Sequence, residues 1–144
     1  MKLKRREVLR SMMFAGAAAA TFDAEAAGTG GSARKHEPIA VVVTIQVKQG
    51  REREFLELLR PVLDAMRHEG TFVNAVLHRD PEDPSRFMIY ETWADRTDLV
   101  DVQVHRDYRR AYMDGLSDLL HSPRDIQVWQ PVRSDFAFFA PKGT

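Results

Sequence analysis

The sequence predicts an α+β domain with the element order β-α-β-β-α-β. Three observations carry that prediction. Residues 39–48, IAVVVTIQVK, and 71–79, TFVNAVLHR, are runs rich in β-branched and apolar residues, bounded by turn residues. Between them, Phe55, Leu58, Leu59, Val62, Leu63 and Met66 recur at helical spacing, the stripe of an amphipathic helix. Phe87–Trp93, FMIYETW, packs aromatic and apolar residues around a single acid, Glu91, and reads as a central strand that organises the rest.

Taken in order, the chain first shows a leader. The basic start MKLKRREVLR, the short apolar run SMMFAGAAAA and Ala24-Glu25-Ala26 have the layout of an export signal over residues 1–26. The pair Arg5-Arg6 resembles a twin-arginine signal, although Lys4 and Val8 depart from its usual pattern; a plain secretory signal and a cytoplasmic basic tail are the alternatives. An export signal implies a periplasmic or extracellular location in a bacterium. Residues 27–38 are glycine-rich and polar, a flexible leader in which His36 is expected to be inert.

In the first strand, Val41, Val43, Ile45 and Val47 face one way and Ala40, Val42, Thr44 and Gln46 the other. Gln49-Gly50 turns the chain into a helix over 51–68, where Pro61 should bend but not end it, since the stripe stays in phase across it. Glu69-Gly70 closes that helix. In the second strand, Phe72, Asn74, Val76 and His78 share a face by simple alternation. The segment DPEDPS, 80–85, connects it to residues 86–93 as a hairpin. Asp95 caps a short helix over 96–104, and a second helix covers 106–120 with Tyr108, Tyr112, Leu116, Leu119 and Leu120 on its apolar side. Residues 125–133 make the last strand, with Pro131 near its end, and 134–144 form an aromatic tail. The order is the ferredoxin-like plan, with the second helical region split and the domain spanning 39–133. Both strand faces are partly apolar, so a second sheet from a homodimer partner is the simplest cover.

Composition narrows the function. The 144 residues carry 21 basic and 21 acidic groups, no footprint for nucleic acid. With no cysteine there is no disulfide, thiolate nucleophile or cysteine metal site. The phosphate-binding glycine loops, the HExxH zinc motif and a serine nucleophile elbow are absent. Asp80, Glu82 and Asp83 read as turn chemistry rather than a calcium site.

The chemistry-bearing group is Asn74, Tyr90, Glu91, Trp93, His105, Arg109 and Tyr112, with Phe72 beside it. A neutral His105 is suited to take a proton from a phenol, and Asn74 or Arg109 to stabilise the phenolate that forms. Trp93, Tyr90 and Phe72 are suited to hold a flat ring, with Tyr112 on the helix. Each has a plainer reading. Trp93 fits a core, Glu91 a structural Arg–Glu pair, and Arg106, Arg109 and Arg110 with Asp107 a solvated salt-bridge surface.

The helix FLELLRPVLDAMRHEGT, the hairpin FVNAVLHRDPEDPSRFMIYETWADRTDL and the following His-Arg-Asp-Tyr resemble the antibiotic biosynthesis monooxygenase family over about residues 39–133. The most telling part is the strand end Tyr90-Glu91-x-Trp93. The resemblance implies a ferredoxin-like dimer closed as an α/β barrel. It also implies oxidation of a small phenol or quinol by dioxygen with no cofactor, in which Trp93 and Asn74 would serve. Many relatives carry a histidine nine residues after the tryptophan; here that position is Val102 and the nearest histidine is His105. Two other readings remain: a non-catalytic dimeric binding or stress-response domain, and haem binding or breakdown with His105 as ligand. The second lacks an asparagine on the first strand, where Thr44 and Gln46 stand.

Overall fold

A computed structural model of the chain describes residues 36–135. The export signal, nearly all of the leader and the tail aromatics Phe136, Phe138 and Phe139 lie outside them. Strand β1 (Ile39–Gln46) leads through a turn to helix α1 (Glu52–Met66), and the hairpin β2 (Phe72–Arg79) and β3 (Arg86–Trp93) follows. Helix α2 (Arg96–Asp101), two 3-10 turns (Gln103–His105 and Asp107–Arg109), helix α3 (Arg110–Leu119) and strand β4 (Asp125–Trp129) complete the domain. Gly50 takes φ +83 in the turn after β1, a backbone region that glycine enters without a Cβ penalty.

The sheet order is β2-β3-β1-β4, every pair antiparallel. That is the ferredoxin-like topology, with β3 and β1 in the middle. The expected closure into an α/β barrel is overturned. The sheet is open, with β2 and β4 as its edges. Barrel closure links strand number, tilt and stagger, and four strands ending on a five-residue β4 do not complete such a circuit. The last strand is shorter than expected because Gln130 and Pro131 leave the ladder, and proline has no N–H to give it.

Alternation sorts the core. Val41, Val43 and Ile45 of β1 and Phe87, Ile89 and Trp93 of β3 point at the helices and are buried. Phe55, Leu59, Val62 and Met66 of α1 meet them. Helix α1 runs unbroken across Pro61, which lies on its exposed side. Gly115 lets α3 lie close to α1: a Cβ there would stand 2.6 Å from Leu58 Cδ1.

Simple alternation fails in β2. Phe72 pairs with Trp93 but Asn74 pairs with Thr92, so Val73 is an extra residue, a bulge. Phe72 therefore turns to the helix face beside Trp93, while Asn74, Val76 and His78 join Thr92, Tyr90 and Met88 on the outer face. The expected grouping of Phe72 with Asn74 is corrected accordingly.

The crossover after β3 is pinned by polar contacts. Asp95 caps α2, its Oδ1 accepting from Thr97 N at 2.8 Å and Asp98 N at 3.1 Å. His36 Nδ1 lies 2.7 Å from the other oxygen of Asp95, so this leader histidine has a structural contact. Asp95→Ala should cost about 1 kcal/mol. The Asp98 N–H first, then His36 and the Thr97 N–H, hold the Asp95 carboxyl below its ordinary range. Its contribution is therefore present at neutral pH and lost as pH falls through that lowered value; urea midpoints of the two proteins, converging in acid, would check it. Farther along, buried Gln103 donates from Nε2 to Glu69 Oε2 at 3.1 Å and to Asp98 Oδ2 at 2.9 Å. Arg106 reaches the same Glu69 oxygen at 2.9 Å, and Thr71 bonds to Asp98. This network ties the 3-10 turns to the end of α1 and so sets the position of His105 and Arg109.

Candidate functional site

Between the helix face of the sheet and the helices lies a cavity of about 110 Å³. Its floor is Val41, Val43, Ile89 and Ile126. Leu59, Val62 and Met66 of α1 form one wall, and Val104, Tyr112 and Met113 another. Four groups give it chemistry: Glu91 on β3, His105 and Arg109 on the 3-10 turns, and Arg124 in the turn before β4. An apolar enclosure of order 150 Å³ holds benzene, so this space is on the scale of a single ring. A second hollow, at the β4 edge near Pro38, Arg96 and Trp129, lacks a buried acid.

Glu91 is placed by the pleat. It shares a face with Phe87, Ile89 and Trp93, opposite Val41 of β1 and Ala75 of β2, and is only 8% exposed. Burial pushes its carboxyl above the ordinary range; the charge of Arg109 opposes that most, then the Trp93 indole N–H, then Arg124. The indole N–H lies near enough to act on the carboxyl but makes no hydrogen bond of good geometry. Because the folded pKa is raised, the fold binds the proton more tightly than the unfolded chain does. The stability tied to Glu91 is thus whole below its unfolded pKa and lost as pH rises through its folded one. Glu91→Gln should grow steadily more stable relative to the wild type from acid to neutral pH, which urea unfolding at several pH values would measure.

Arg109 sits between two rings. Its Cζ is 6.0 Å from the Trp93 ring centroid and 5.8 Å from that of Tyr108. Its Nε and Nη2 are buried and have no hydrogen-bond partner among the described residues. These two N–H groups share one edge of the guanidinium, the edge that engages planar anions with two parallel bonds. Tyr112 is buried on α3; burial raises its hydroxyl, and the nearby Arg124, which also hydrogen-bonds it, works in the opposite direction.

The sequence-predicted residues divide between the two faces of the sheet. His105, Arg109 and Tyr112 line the cavity together, with His105 exposed at its rim. Trp93 is fully buried behind it, edge-on to Phe72 with centroids 5.3 Å apart, and supports Arg109 rather than forming the lining. Asn74 and Tyr90 do not reach the cavity. They lie on the outer face, where Thr92 Oγ1 donates to the Tyr90 hydroxyl at 3.1 Å and Asn74 Oδ1 is buried without a partner. The pocket expected to be lined by Trp93, Tyr90 and Asn74 is instead aliphatic, with Glu91 in its floor.

Sequence reasoning missed Arg124. It follows Ser122-Pro123 in a polar turn, and nothing in that context distinguishes it from a solvated charge. Glu91 had a signal: it is the single acid in the row Phe87, Ile89, Glu91, Trp93. Among the described residues, no three histidine or acidic side chains gather as a metal site. Asp80 Oδ1 accepts from the backbone of Glu82 and Asp83, and Asp83 Oδ1 from Ser85, as turn chemistry requires.

Fold and site together define a class: a small α+β domain with an open antiparallel sheet and a ring-sized cavity holding one buried acid and two guanidiniums. The chain belongs to the antibiotic biosynthesis monooxygenase family, which matches residues 38–114. A protein of Pestalotiopsis microspora, provisionally named a monooxygenase, is 28% identical over 99 residues, 68% of this chain and 82% of that protein. A conserved protein of Methanosarcina mazei is 23% identical with a TM-score of 0.61, covering 67% of this chain and 94% of that one. A Nitrosomonas europaea protein, provisionally named an antibiotic biosynthesis monooxygenase, is 20% identical with a TM-score of 0.63, over 67% and 92%. These two structural likenesses are of fold. Family membership supports an oxidoreductase-type function at that level of generality. No helix among the described residues is long and apolar enough to cross a membrane.

Proposed function

We propose that the protein is a monooxygenase that oxidises a small phenol or hydroquinone with dioxygen in this cavity, the reduced ring itself supplying the electrons. One oxygen atom enters the product and the other leaves as water. The observation that carries the reading is a ring-sized, largely aliphatic cavity whose lining includes Glu91, His105, Arg109 and Arg124. A guanidinium in that lining is suited to stabilise an oxygen anion developing on a bound ring. Aliphatic walls accept the flat ring, and Glu91, His105, Arg109 and Arg124 supply the charged and polar part of the lining.

Oxygen-electrode traces with a panel of phenols and hydroquinones test the reading. Enzyme-dependent uptake above autoxidation supports it; uptake equal to the buffer blank for the whole panel overturns it.

On the outer face of the sheet, Val76 and Tyr90 stand exposed, and Trp129 is 52% exposed on β4. An apolar face of this kind suits a second copy of the chain, and the protein is proposed to work as a homodimer. Light scattering giving a monomer mass at micromolar concentration would rule that out. Export directed by residues 1–26 belongs to the same proposal, with cell fractionation as its check.

A further inference from the structure

We infer that the Glu91 carboxylate is the proton acceptor for the phenolic hydroxyl, with Arg109 and Arg124 holding the resulting phenolate; this rests on the phenol-oxidising reading above. Among the described residues, Glu91 is the single carboxylate in the cavity lining. Its strand register aims it at the helices, away from water. Among the described residues, the elements around it supply cations and a hydroxyl to the lining but no second acid. Helix α1 offers aliphatic side chains, the 3-10 turns His105 and Arg109, α3 Tyr112, and the turn before β4 Arg124.

In the transfer, the phenol O–H bond breaks and a new O–H bond forms on a Glu91 oxygen. The electron pair of the broken bond stays on the phenolate oxygen, and no oxidant enters this step. The total charge of the cavity does not change. One negative charge moves from the carboxylate to the phenolate within the field of the same two guanidiniums, so the transfer needs little reorganisation. Arg109 lines the same cavity, and a guanidinium there is a suitable partner for the phenolate.

Burial also favours this acid. A carboxylate raised above its ordinary range is a stronger base, closer in proton affinity to a phenol than a surface glutamate is. His105, the acceptor suggested by the sequence, stands at the exposed rim of the cavity rather than within it.

The test uses the full chain and 4-nitrophenol, whose phenolate absorbs in the visible and whose phenol does not, at a pH below its solution pKa. Calorimetry follows binding separately. The wild type should bind the probe and develop the phenolate band. Glu91→Gln should bind it with the band lost and turnover reduced about 10²–10⁴-fold. Glu91→Asp should recover part of both, and a thermal melt confirms that each variant is folded. His105→Ala should keep the band. If folded Glu91→Gln keeps the band, or if His105→Ala loses it, the assignment to Glu91 is wrong while the phenol-site reading stands. If the wild type binds no phenol from the panel and takes up no oxygen, both fall.

Discussion

Arg109→Met is expected to lower kcat/KM for phenol or hydroquinone oxidation about 10²–10³-fold, the usual effect of removing one donor to a developing oxyanion, without destabilising the fold. The two halves of this prediction have one cause. Nε and Nη2 of Arg109 are buried and unpartnered in the resting protein. Removing two such donors relieves a desolvation cost of about 1–3 kcal/mol each. Methionine keeps an unbranched apolar stem against the rings of Trp93 and Tyr108, so the packing survives, and the lost cation–π contact takes back part of the gain. Glu91 loses the charge that most opposes its upward shift and should titrate higher still, and the cost of this at neutral pH offsets the rest of the gain. Steady-state oxygen uptake and urea unfolding on the same preparation check both halves. A variant with normal kcat/KM would remove Arg109 from the site, and one that unfolds readily would make it a structural residue.

Phe55→Ala should cost about 3–5 kcal/mol, a large share of the 5–15 kcal/mol that holds typical domains together. Phe55 is wholly buried on α1. Its ring stands 5.0 Å from Phe87 on β3 and 6.2 Å from Tyr112 on α3, so one side chain joins the sheet to both long helices. Truncation opens a cavity at that three-way contact, and the neighbours, themselves anchored in regular elements, can close it only in part. In a domain of about 100 residues each kcal/mol moves Tm by roughly 4–8 °C, so calorimetry should show a Tm at least about 12 °C lower. Tyr112 lines the cavity, so ring binding should weaken as well. A loss under about 1 kcal/mol would show that the core collapses to fill the gap and that Phe55 is not the joint described here.

Much of this architecture is legible in local pattern. The stripe Phe55, Leu59, Val62 and Met66 is the buried face of α1, and alternation in FMIYETW places Phe87, Ile89, Glu91 and Trp93 inward. The split of the second helical region follows from its mixed periodicity, although its first piece is shorter than expected and continues as 3-10 turns. Asn74 shows where such reading stops. One additional residue at Val73 reverses its face, and a bulge leaves no reliable mark in a run of apolar residues. The barrel is a second case. The resemblance implied closure, yet closure is a property of how many strands meet and with what stagger, and this chain forms an open sheet of four.

By itself the sequence determined the order of the elements and the buried stripe of α1, because period and turn chemistry act over a few neighbours at a time, and its resemblance to the family pointed to the class. The tertiary structure alone decided that Glu91, Arg109, Tyr112 and Arg124 share one cavity, and that Asn74 and Tyr90 face away from it. A cavity is the volume that packed elements leave unfilled, and its chemistry depends on which side chains from distant segments end there. Register, bulges and crossover contacts such as Gln103 with Glu69 and Asp98 set that outcome, and none of them is a property of any short stretch of chain.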